Sequence, residues 1–76
     1  MQIINRIPRF PDRGLGYKAR VVKEKEELDG KITRLSGFIF SDKFSVVMKD
    51  EQERMERQLY VMMDYSRCLK DRIAAF

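Results

Sequence analysis

Apolar residues recur along this chain at helical intervals. Val21, Leu28, Ile32, Leu35 and Ile39 are spaced seven, four, three and four residues apart, which puts them near one face of a single amphipathic helix over about residues 18–40. A stronger pattern follows. Met48, Gln52, Met55, Leu59, Met62, Ser66, Leu69, Ile73 and Phe76 alternate four and three residues apart, the heptad seam of a helix that packs lengthwise on another. Between the two, "FSDKF" and the residues after it form a connector over 41–49, where Ser41 and Asp42 can cap a turn and Phe44, Val47 and Met48 can pin it to the core. The second helix is predicted over 50–76, with Asp50 as N-cap, Glu53 in capping-box spacing and acidic side chains to suit the helix dipole. A short connector makes the helices fold back antiparallel, and the second, at roughly 40 Å by helical rise, should overhang the first. The predicted fold is therefore all-α, an antiparallel two-helix hairpin.

Residues 1–17 do not fit this pattern. Pro8 and Pro11 bias Ile7 and Phe10 toward extended backbone, and Gly14 and Gly16 permit tight turning before Tyr17. Charge sets the segment apart as well. Residues 1–23 carry six Lys/Arg against one Asp, a net +5, whereas residues 24–76 carry ten against eleven, a net −1, so the chain's excess of +4 lies in the basic N-terminal arm together with the first residues of the helix that follows it. Two readings of the arm stand side by side. Arg9, Phe10, Arg13, Tyr17, Lys18 and Arg20 can bind an anion and stack on a base; or Ile3, Ile4, Ile7, Phe10 and Leu15 cover the hairpin while the arginines stay in water.

A chain of 76 residues has room for one small core, roughly 3–5 kcal/mol of net stability, so help from elsewhere is expected. Cys68 is alone and histidine is missing, which leaves no disulfide framework and no Cys/His zinc site; no metal and no cofactor are expected. Oligomerisation is the remaining common form of help. Beside the seam lie Val61, Tyr65, Cys68 and Ala75, flanked by Arg54, Arg57 and Arg72, with Met63 on the opposite border. This apolar arc is too wide for one neighbouring helix. It is covered either by the arm or by a second copy, through an interface comprising Val61, Met62, Tyr65, Cys68, Leu69 and Phe76. On helix one, Gly30 and Gly37 mark either a close approach to the backbone or a merely solvated face.

Chemistry is sparse. The carboxylates are matched by Lys or Arg at helical spacing and no nucleophile has a base beside it, so the chain reads as a binder and not an enzyme. No apolar run approaches a membrane span, no signal-peptide core opens the chain, and a lone thiol suits a reducing compartment; a cytoplasmic location in the host cell is expected. Nucleic-acid binding ranks below binding of a small anion, because the helices carry no basic face.

"KEKEELDGKITRLSGFIFSDKF" followed by "DEQERMERQLYVMMDYSRCLKDRI" resembles small bacteriophage helical-hairpin proteins over about residues 20–76. In arrangement the chain is also similar to the phage anti-CBASS sponges, oligomers that sequester cyclic oligonucleotide immune signals. That resemblance implies an anti-defence protein that binds and sequesters a small anionic nucleotide, cyclic or linear. It matches Tyr17, Lys18 and Arg20 to an aromatic and basic N-terminal region, and Arg67 or Arg72 to an arginine late in the second helix. The alternative is an inhibitor or regulator that docks on a host protein through the exposed Met/Tyr face.

Overall fold

The computed structural model describes residues 15–76; the proposed contributions of Arg9, Phe10 and Arg13 lie outside the described residues. The hairpin consists of α1 (Leu15–Ile39), a 3₁₀ turn (Asp42–Val46) and α2 (Lys49–Ala74). Its two helices pack along their length, and no strand occurs among the described residues.

α1 starts three residues before the predicted boundary and takes in Gly16. Glycine is tolerated there because the first turn has few intrahelical bonds to support, and the extra turn brings Tyr17 onto Phe76. With 25 and 26 residues the helices are almost equal, so the expected overhang of the second does not occur.

The connector is held by local hydrogen bonds. Ser41 Oγ accepts from Lys43 N at 3.3 Å and its hydroxyl donates to Phe38 O at 2.7 Å, while Ser45 Oγ donates to Asp42 O at 2.9 Å. Phe44 meets Phe38 edge-on, with ring centroids 6.2 Å apart, as the pinning role expected of it requires. Met48 departs from the expectation. It occupies the N-cap position of α2 without a side-chain cap and is 77% exposed, so the seam begins one step later. Asp50, predicted as the cap, lies with Glu51 in the first turn, where both still suit the helix dipole. Gln52 supplies the missing anchor: its amide donates to Phe44 O and Val47 O, each at 2.9 Å, tying α2 to the turn.

The core is thin. Val21, Leu28 and Leu69 are buried, Leu69 at 1% exposure, with Ile32, Met62 and Ile73 packed around them. Leu35, Ile39, Met55 and Leu59 are only half-buried, because a second helix can cover one side of a first but not its flanks. Gly37 has nothing within 4 Å of a built Cβ, and the neighbour of Gly30 is its own helix's Arg34 at 3.5 Å, so no packed element approaches either glycine within the hairpin. No helix among the described residues is long and apolar enough to cross a membrane.

Leu69→Ala should lower unfolding stability by about 2–5 kcal/mol, the usual cost of emptying a closed core site, whereas Met48→Ala should change it by less than about 0.5 kcal/mol. Urea titration followed by helical circular dichroism distinguishes the two. Under the same assay Gly37→Ala should raise stability, by up to about 1 kcal/mol, through helix propensity alone; a loss would show that a Cβ does meet an obstacle there.

Candidate functional site

The structure divides the residues proposed for ligand binding. At the open end of the hairpin the Tyr17 ring meets Phe76 edge-on, with centroids 5.7 Å apart, and Lys18 Nζ stands 5.5 Å from the centre of the same ring. Both predicted ligand residues are thus engaged with the end of α2, in an aromatic and cation–π contact that closes the hairpin. Arg20 and Arg72 are exposed nearby in sequence on either helix. Arg67 stands apart. It is nine residues from Phe76, about 14 Å of helical rise, and its guanidinium pairs with Asp64 at 3.2 Å.

The proposed interface divides too. Leu69 is at the centre of the hairpin core and Met62 packs against that core, so neither side chain is free to meet a second copy; both satisfy the partner helix. Phe76 meets Tyr17 and Lys18 and stays partly exposed, at 38%. Val61, Tyr65 and Cys68 remain exposed on one flank of α2.

A polar contact crosses the middle of the hairpin. Ser66, a polar residue within the heptad seam, donates its hydroxyl to Asp29 Oδ1 at 2.6 Å, and Lys25 Nζ donates to Asp29 Oδ2 at 2.7 Å. The Lys25 hydrogen bond first, and then that of Ser66, hold the Asp29 carboxyl below its ordinary value of 3.8. Beside this contact a groove of about 370 Å³ opens between Asp29, Ile32, Met63, Ser66, Arg67 and Lys70. Lys70 has no ion-pair partner among the described residues. A second recess of about 300 Å³, lined by Ile39, Phe40, Glu56, Leu59 and Tyr60, opens on the same flank toward the connector. The first, with Arg67 and Lys70 at the rim of an apolar surface, suits a small amphiphilic anion; the second has the Glu56 carboxylate as its one charged lining residue. Of this set, sequence reasoning singled out Arg67. Ser66 was legible as the polar break in the seam, but its partner Asp29 was not.

The Sequestin family model matches residues 15–75, the whole hairpin. The chain belongs to the Sequestin family. Among proteins similar to this Sequestin hairpin, an uncharacterised 7.5 kDa protein from the denB–rIIB intergenic region of Enterobacteria phage T4 is 45% identical over 62 residues, 82% of this chain and 97% of that protein. The resemblance to small phage proteins is thereby established, and the described chain is a small phage protein of Sequestin type. No solved structure matches. The Sequestin match starts where α1 starts, so it takes in Tyr17, Lys18, Arg20, Arg67 and Arg72 and leaves Arg9, Phe10 and Arg13 before it.

The Asp29 contact has a signature in acid. A carboxyl held below 3.8 in the folded state contributes stability that is present above 3.8 and lost as pH falls through the lower folded-state value. Asp29→Asn should therefore flatten the acid limb of the stability profile below about pH 4, measured by urea midpoints in a pH series; parallel acid limbs in the two proteins would contradict the assignment.

Proposed function

We propose that this phage protein is a non-catalytic anti-defence protein, a homo-oligomer that binds a small anionic nucleotide signal, cyclic or linear, and sequesters it. The observation that carries the reading is the lateral groove, where Arg67 and Lys70, the latter without an ion-pair partner among the described residues, stand beside Ile32 and Met63 and the Ser66–Asp29 contact. A nucleotide has this same division into an anionic and a flat, weakly polar part. The family name, Sequestin, denotes sequestration and supports binding without turnover. In this reading Arg67 is the member of the predicted ligand set that reaches the ligand, and Tyr17 and Lys18 serve by closing the hairpin on Phe76.

Self-association uses the opposite flank of α2. Val61, Tyr65 and Cys68 follow one another at spacings of four and three residues there, all exposed, with Arg72 continuing the row. Pairing through this stripe buries apolar surface that the thin core leaves in water, and it leaves the groove open. The same exposure favours one other reading, docking of the stripe and of Tyr60 and Met63 on a host protein.

Native mass spectrometry with cyclic and linear nucleotides tests the proposal. The expected result is an oligomer that retains nucleotide. The double substitution Arg67→Ala and Lys70→Ala should weaken retention by about tenfold or more, since charge-assisted contacts are lost, with the oligomer unchanged, and Val61→Arg with Tyr65→Arg should yield monomers. A protein indifferent to every nucleotide would overturn the sequestering reading and direct attention to host-protein capture by the stripe.

A further inference from the structure

The apolar stripe of α2 runs on into charge at both of its ends. From Val61 it continues through Arg57 and Arg54 to Asp50, and from Tyr65 and Cys68 to Arg72, always at steps of three or four residues, so one line of side chains follows the helix from its first turn to its last. Arg54 is neutralised within its own chain, its Nε donating to Glu51 at 2.8 Å. Asp50, Arg57 and Arg72 have no ion-pair partner among the described residues, and all three are exposed. The two unmatched opposite charges, Asp50 and Arg72, are 22 positions apart, about 33 Å of helical rise. No contact within one straight helix can join them.

We infer that the partner on this stripe is a second copy of the chain running antiparallel, related by a two-fold axis at Val61, with Asp50 of each copy against Arg72 of the other. The inference rests on the self-association proposed above and gives it a direction and a register. A closed pair of identical subunits makes an isologous contact, so each residue faces either itself or a reciprocal partner. With α2 parallel to its copy, every residue of the line faces itself: Asp50 meets Asp50, Arg57 meets Arg57 and Arg72 meets Arg72, each a like-charge contact. Turned antiparallel about Val61, position 50 comes level with 72, 57 with 65 and 54 with 68. Both unmatched charges then find opposites, twice per pair, and each Arg57 guanidinium comes to the partner's Tyr65 ring, a cation–π arrangement. Val61 packs on Val61 at the axis, and antiparallel helix dipoles attract. An axis two residues further along, at position 63, would instead bring Arg54 level with Arg72 and Asp50 level with Phe76, losing both ion pairs.

Cysteine cross-linking of the full chain reads the register directly. Cys68 is exposed and serves as one probe. Position 54 is its antiparallel counterpart, so Arg54→Cys should yield, under mild oxidation, a dimer joined by a disulfide between 54 of one chain and 68 of the other, mapped by mass spectrometry of the linked peptides. Within one chain these positions are about 21 Å apart along the helix, far beyond the roughly 7 Å that a disulfide spans between Cα atoms, so such a link always joins two chains. In the wild type the two Cys68 thiols are separated by the same rise of about 21 Å along the pair and should not join. Val61→Cys with Cys68→Ser places a thiol at the axis and should link 61 to 61. Sedimentation supplies the charge test: Asp50→Arg alone, or Arg72→Asp alone, should weaken dimerisation by about tenfold or more, and the two together should restore it. Cys68–Cys68 linkage in the wild type, absence of the 54–68 link, or charge substitutions that fail to rescue each other would overturn the antiparallel register while leaving self-association standing. A chain that is monomeric at every concentration would overturn both.

Discussion

The packing of Leu69 between Val21 and Leu28 is the contact on which the hairpin depends. Two helices share one interface, and here that interface encloses three side chains. With Ile32, Met62 and Ile73 packed against it, the remaining specific contacts fasten the helices at points outside this small core. Tyr17 and Lys18 hold Phe76 at the open end, Ser66 holds Asp29 in the middle, and Gln52 and the Phe38–Phe44 pair hold the connector. These fasteners are largely polar or aromatic and specify register as much as they add stability. A seam serine aligned with Asp29 has one good partner, whereas leucine against leucine tolerates sliding.

A single interface also leaves both flanks of α2 uncovered, and their chemistry differs. One flank carries Val61, Tyr65 and Cys68 with arginines beside them; the other carries the groove at Met63, Arg67 and Lys70 and the recess at Glu56 and Tyr60. In the function proposed above, the first serves self-association and the second the ligand, because the first is apolar at its centre while the second places Arg67 and Lys70 beside apolar surface.

The sequence made the pairing of the helices legible because a heptad pattern records which residues face a partner, and the seam from Gln52 to Phe76 does so nearly without interruption. It misled at Met48, whose spacing continues the pattern although the chain there has not yet entered the helix, and at Asp50, where cap-like spacing stood in for an anchor that Gln52 provides through its amide. Leu69 and Met62 were assigned to a subunit contact since the seam and the neighbouring stripe overlap in sequence, and only the rotation of α2 against α1 decides which side of Leu69 is covered. The groove was hidden for the same reason. Its walls come from both helices, and Asp29 and Ser66 are 37 positions apart, so no local spacing joins them. Arg67 stood out only through the resemblance, as one of two arginines late in the second helix.

The most direct test of the claim that this hairpin completes its core by association is the protein-concentration dependence of its thermal unfolding, recorded by circular dichroism from low micromolar to high micromolar chain. Binding that favours the folded state raises the midpoint by mass action. The account predicts a midpoint that climbs steadily with concentration in the wild type and loses that dependence in the Val61→Arg, Tyr65→Arg variant. A wild-type midpoint independent of concentration, with cooperative unfolding of the monomer, would contradict it.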